Sequence, residues 1–203
     1  MRVLIVLFFS LFSTFATAED WRSEASPFDI ERIDGAEAAL EGALRQAFDG
    51  GSPKDQQIVK RLLRSQEPIE GEALLGNWRC RTIKMGGKFV QLIVYGWFKC
   101  RITMGPQGLF FEKLTGSQRT SGYLRPVYPE GGEGLPVRYI YLGAGHYGGE
   151  EPRRYGGPSN TLRRVSENRD DIGILEAIDR SHLRIGFPLP VVESDYDFLE
   201  LQR

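Results

Sequence analysis

Apolar residues recur at helical spacing in two stretches near the start of the chain. Ile33, Ala36, Leu40, Leu44 and Ala47 form the first stripe, and Ile58, Val59, Leu62 and Leu63 the second. Each follows the same start signal. Ser26-Pro27-Phe28-Asp29 and Ser52-Pro53-Lys54-Asp55 both offer a serine N-cap, proline at the first helical position and a carboxylate at the third. Asp49-Gly50-Gly51 separates the stripes, so the pattern predicts a helical hairpin, with Gly35 and Gly42 weakening its first arm.

From Gly76 the period changes from helical to two. Phe98, Cys100 and Ile102 fall on one face of a strand, and Trp97, Lys99 and Arg101 on the other. Short runs of this kind, broken by glycine and proline, predict strands near 76–84, 90–95, 97–104, 108–115, 120–128, 137–143, 172–178, 182–188 and 196–201. Residues 144–161 read as a long irregular loop. The expected fold class is α+β: an N-terminal helical hairpin (19–75) packed on an antiparallel β-barrel or strongly bent sheet (76–203), the two forming one compact unit.

The first residues belong to neither pattern. Arg2, an apolar run over 3–12 and the small residues Ala16-Thr17-Ala18 make residues 1–18 a secretory signal peptide cleaved after Ala18. The run is well short of the ~20 residues that span a bilayer, so no membrane span is expected after cleavage. The expected location is the periplasm. In an oxidising compartment the two cysteines, Cys80 and Cys100, are best read as one disulfide. Neither His146 nor His182 has partners at ligand spacing, so no metal and no cofactor is expected.

Charge is unevenly distributed. Residues 76–125 carry nine Lys and Arg against one acid, Glu112, although the chain as a whole has a net charge of −1. If Cys80 faces Cys100 directly, Arg79 lies opposite Arg101 and Arg81 opposite Lys99, and like charges across a ladder need compensation. Asp195 and Asp197 on the last strand are the expected source if a closed barrel sets that strand beside the first. Otherwise Arg79, Arg81, Lys99 and Arg101, with Arg119 in a polar turn, form a candidate site for an anion or an acidic partner. The acidic balance and the export signal exclude nucleic acid as the partner.

Candidate catalytic chemistry is sparse. Gly143-Ala144-Gly145-His146-Tyr147-Gly148 spells G-x-G-x-x-G, but no helix pattern follows it, so a dinucleotide site is rejected. His146 with Glu150 or Glu151 is the one arrangement that could serve a hydrolase. No nucleophile motif such as G-x-S-x-G occurs. His182 opens a strand and reads as a surface or edge residue.

Asp20-Trp21-Arg22, Trp78-Arg79-Cys80-Arg81 with Ile83-Lys84, Phe98-Lys99-Cys100-Arg101-Ile102, Lys113-Leu114-Thr115-Gly116-Ser117-Gln118-Arg119 and Tyr141-Leu142-Gly143 together resemble an exported family of Gram-negative bacteria, domain of unknown function 4893. The resemblance implies no activity and no catalytic residue. A shorter likeness, Gly76-Asn77-Trp78, is similar to the G-x-W start of lipocalin-like barrels and of eight-stranded periplasmic inhibitors, which implies a barrel that binds something. The sequence therefore points to a non-enzymatic binding module for a small ligand, an anion or an envelope protein. The alternatives are the hydrolase-like use of His146 and a structural envelope protein.

Overall fold

The computed structural model describes residues 21–88, 91–160 and 169–203. The expected signal peptide, residues 1–18, and its expected cleavage point lie outside the described residues, as does the first residue of the strand expected at 90–95.

The helix starts form as their sequences dictate. The Ser26 and Ser52 hydroxyls accept hydrogen bonds from the backbone N–H of Asp29 (3.1 Å) and Asp55 (3.2 Å), each with proline in the first turn. The first arm is not one helix, however. Gly35 breaks it into α2 (Pro27–Asp34) and α3 (Ala36–Gly50) before α4 (Pro53–Leu62). Two four-residue helices, α1 (Trp21–Glu24) and α5 (Gly71–Leu74), were not expected from the pattern, because one turn is too short to show a period.

The strands are β1 (Gly76–Met85), β2 (Leu92–Val94), β3 (Phe98–Gly105), β4 (Gly108–Lys113), β5 (Gln118–Val127), β6 (Arg138–Tyr147), β7 (Asp170–Asp179), β8 (His182–Pro188) and β9 (Tyr196–Gln202). Strands β3 to β9 follow one another as antiparallel neighbours, and β1 pairs with both β3 and β9. The result is a closed, eight-stranded, up-and-down barrel, which has no free edge to protect. Short β2 continues the β3 side along the far half of β1.

The register between β1 and β3 corrects the expected one. Cys80 lies opposite Phe98 and Cys100 opposite Trp78, so Arg79 faces Lys99 and Asn77 faces Arg101. The disulfide joins the cysteines on a diagonal, with Cα atoms 5.9 Å apart. That separation suits a disulfide, and the twist of a small barrel brings one diagonal pair within its reach.

Period two sorts the side chains into two cores. Trp78, Cys80, Ile102, Phe111, Tyr141, Leu199 and Leu201 belong to the cluster that fills the barrel, where Phe111, Tyr141 and Phe187 meet edge to face at 5.8 and 5.7 Å. On the outside, Ile83, Met85, Tyr196 and Phe198 pack against Ala43 and Ala47 of α3 and Val59 and Leu62 of α4. Helix α2 lies over the outer face of β7, beside Ile140, Leu142 and Ile172.

Helix α5 sits at one end of the barrel. Leu74 joins the interior cluster, its carbonyl accepts from Trp78 Nε1 at 2.9 Å, and Tyr139 donates to the Ile69 carbonyl at 2.9 Å. Arg203 reinforces this end by donating to the carbonyls of Ala73, Leu74 and Leu75 over the Trp78 ring. Away from α5 the inward face turns polar on strand after strand, which is where a site can form.

Candidate functional site

The basic residues singled out by the sequence do not converge. Arg81 Nε reaches Glu200 Oε2 at 2.5 Å, and Arg101 Nη2 reaches Glu112 Oε2 at 2.8 Å. Arg79 donates to Gln202 at 2.8 Å, and the Arg79 and Arg81 guanidinium groups lie 4.6 and 4.4 Å from the Trp97 ring centre. Lys99 is exposed, and Arg119 donates from Nε to the Gly116 carbonyl at 3.1 Å. The last strand does supply a carboxylate, but it comes from Glu200 rather than Asp195 or Asp197. Asp195 is held by Gln46 at 2.7 Å, and Asp197 accepts from the Ser194 hydroxyl at 2.6 Å. Burial works to raise the Glu200 pKa, but hydrogen bonds from His182 and Arg81 outweigh it and hold the carboxyl below its ordinary value.

The hydrolase arrangement is also corrected. His146 lies on β6, which runs four residues beyond its expected end, and not in a loop. Glu150 accepts from the Tyr147 N–H and closes the turn there, and His146 makes no hydrogen bond with Glu150 or Glu151. Gly143 has a packing role instead of a phosphate-binding one: the place its Cβ would take is filled by the Tyr141 phenol. Among the described residues no group of three His, Cys, Asp or Glu could hold a metal ion.

The polar side chains that do converge are at the barrel mouth. A cavity of about 190 Å³ there is lined by Thr82 and Lys84 of β1, Lys113 of β4, Thr120 of β5, Asp171 of β7 and Asp197 of β9. The β8–β9 connection contributes Pro190, Val191 and Val192, while Phe187 and Leu199 add apolar wall. Arg119, His146 and Arg169 also line it. Each barrel residue of this set continues an inward series: Trp78 and Cys80 lead to Thr82 and Lys84, Leu109 and Phe111 to Lys113, Leu201 and Leu199 to Asp197.

These charges are poorly paired. Lys84 Nζ meets Glu193 at 2.7 Å, and that residue lies in the same β8–β9 connection with a left-handed backbone (φ 72°). Lys113 is 9% exposed, and among the described residues its ammonium has only the Thr82 hydroxyl at 3.4 Å and the Phe98 ring at 4.4 Å. Asp171 accepts from the Thr120 hydroxyl at 3.1 Å, and that hydroxyl also lies 2.6 Å from the Tyr141 phenol.

The environment shifts all four groups. Burial, with repulsion from Lys84, pushes the Lys113 pKa down to about 8. Burial pushes Asp197 up to about 7, and raises Asp171 although Arg32 and Thr120 oppose it. Burial also disfavours the Lys84 ammonium, but the hydrogen bond with Glu193 and the nearby Asp197 outweigh it and raise that pKa. Desolvation dominates three of the four, as it does where polar groups line a narrow cleft in protein.

Residues 21–201 match the profile of a family described as Domain of unknown function (DUF4893). The chain belongs to this family. Lys84 and Lys113 of the mouth fall within two of the five family-like runs noted in the sequence. Among curated proteins none matches the chain. Among solved structures the chain is similar to a redesigned β-barrel, with 12% identity, a TM-score of 0.37, and 68% of this chain and 98% of that one covered.

Sequence reasoning treated Asp197 only as a neutraliser and passed over Thr82, Lys84, Lys113, Thr120 and Asp171. The signal that could have found them is a charged residue at a position whose period-two series points it inward.

Proposed function

We propose that this DUF4893 chain is an exported, non-catalytic binding module whose barrel mouth takes up a small anionic ligand. The observation that carries the reading is Lys113, a buried ammonium that faces a cavity and has no carboxylate partner among the described residues. Burying an unpaired cation is expensive, and a ligand carboxylate or phosphate would relieve it. Export to the periplasm is supported by the signal-like residues 1–18 and by a disulfide that persists in oxidising compartments.

Two measurements test this. Cell fractionation should find the protein in the periplasm with residues 1–18 removed, and full-length protein in the cytosol would defeat the export reading. Calorimetric titration with small carboxylates and inorganic phosphate should give binding that Lys113→Met weakens about tenfold or more and Arg101→Ala leaves unchanged. Equal affinity in wild type and Lys113→Met, or no binding at all, would defeat the ligand reading.

A further inference from the structure

The mouth holds opposite charges that do not satisfy one another. Lys113 makes no ion pair with Asp171 or Asp197, and the ammonium of Lys84 is engaged by Glu193. Among the described residues each aspartate accepts a single side-chain hydrogen bond, from Thr120 or from Ser194, although a carboxylate has room for about four. All three groups nevertheless line the same cavity. An anion alone would satisfy Lys113 and bring a like charge towards two aspartates, and a cation alone would do the reverse.

We propose that the ligand is a small zwitterion of the α-amino-acid type, its carboxylate on Lys113, its ammonium on Asp171 and Asp197, and its side chain against Phe187, Leu199 and Val191. The inference rests on the mouth-binding reading above and deepens it. Size agrees: a cavity of about 190 Å³ admits a free amino acid and excludes a folded partner. Charge agrees as well: Lys84 and Glu193 cancel, and the remaining lining, with Lys113, Arg119 and Arg169 against Asp170, Asp171 and Asp197, offers both signs to a ligand that carries both. The wall formed by Pro190, Val191, Val192, Phe187 and Leu199 is apolar, which selects an apolar side chain.

The test compares three probes of one skeleton on the purified protein by calorimetry: leucine, 4-methylpentanoate (the same acid without the ammonium) and 3-methylbutylamine (the same amine without the carboxylate). Leucine should bind about tenfold or more tightly than either analogue. Asp171→Asn, which keeps the shape of the side chain, should reduce leucine to the affinity of the acid and leave the acid unaffected. If the acid binds wild type as tightly as leucine, the zwitterion inference fails and the anion site stands. If the amine alone binds, or none of the three binds, both fail. The wild-type comparison decides the matter even if the variant does not fold.

Discussion

Arg81 on the first barrel strand and Glu200 on the last stand directly opposite one another across the seam that closes the barrel, guanidinium to carboxylate at 2.5 Å. Glu200 is fully buried and also receives His182 at 2.9 Å. Removing one partner of a buried pair leaves the other charge stranded, which typically costs about 3–5 kcal/mol. Arg81→Met should therefore destabilise the protein by about 3 kcal/mol in urea unfolding, His182 keeping the loss at the low end. Because the Glu200 pKa is lowered in the folded state, this stability is present above the ordinary glutamate range and is lost as pH falls through the folded pKa. The acid limb of the stability profile should accordingly be shallower in Glu200→Gln than in wild type.

The Cys80–Cys100 bridge should contribute about 2–5 kcal/mol, read as the difference in unfolding free energy between wild type and the Cys80→Ala/Cys100→Ala double variant. A thiol assay on denatured, unreduced protein should find no free thiol.

Asp197 should give an unusual slope near neutrality. Its pKa rises from 3.8 to about 7 on folding, so between those values the folded state binds the extra proton. Stability is then highest below the unfolded pKa and declines as pH rises through the folded one. Asp197→Asn should remove this decline, worth at most about 1.4 kcal/mol per pH unit, in urea titrations between pH 4 and 8.

Lys113 has the opposite sign of imbalance. Its folded pKa of about 8 lies below the ordinary 10.5, so between those values the unfolded chain binds more protons and stability rises with pH. Lys113→Met should be more stable than wild type at pH 7, by about 1–3 kcal/mol, with a flat profile between pH 8 and 10. A gain in stability joined to a loss of ligand binding would mark a residue kept for binding, since strain of that kind is retained at functional sites.

The parts of the fold that depend on near neighbours were legible in the sequence. Ser26 and Ser52 cap helices because the bond each makes spans three residues, and the alternation of Phe98, Lys99, Cys100 and Arg101 is a property of any extended strand. The pairing of Cys80 with Phe98 was not legible, because the offset of the diagonal bridge depends on how tightly the whole barrel twists. Nor was the partner of Arg81, since choosing Glu200 over Asp197 requires the register of a strand more than a hundred residues away. The mouth stood between these cases. Lys84 and Lys113 occupy inward positions that period two alone assigns, but only closure of the barrel shows that they meet Asp171 and Asp197 in one cavity.

The seam between β1 and β9 also dictates an order of assembly. Along one edge residues 79–85 find their partners in residues 196–202, so a chain emerging N-terminus first carries one open edge on its first strand until almost its last residue arrives. Contacts of such long sequence separation form slowly, and the waiting edge is prone to pair with a neighbouring chain. The Cys80–Cys100 bridge needs nothing beyond residue 100, and it can pin β1 to β3 while the rest of the barrel is still being delivered. The disulfide thus holds the nucleus of the barrel in register during that interval, and its loss should be felt first as aggregation during refolding.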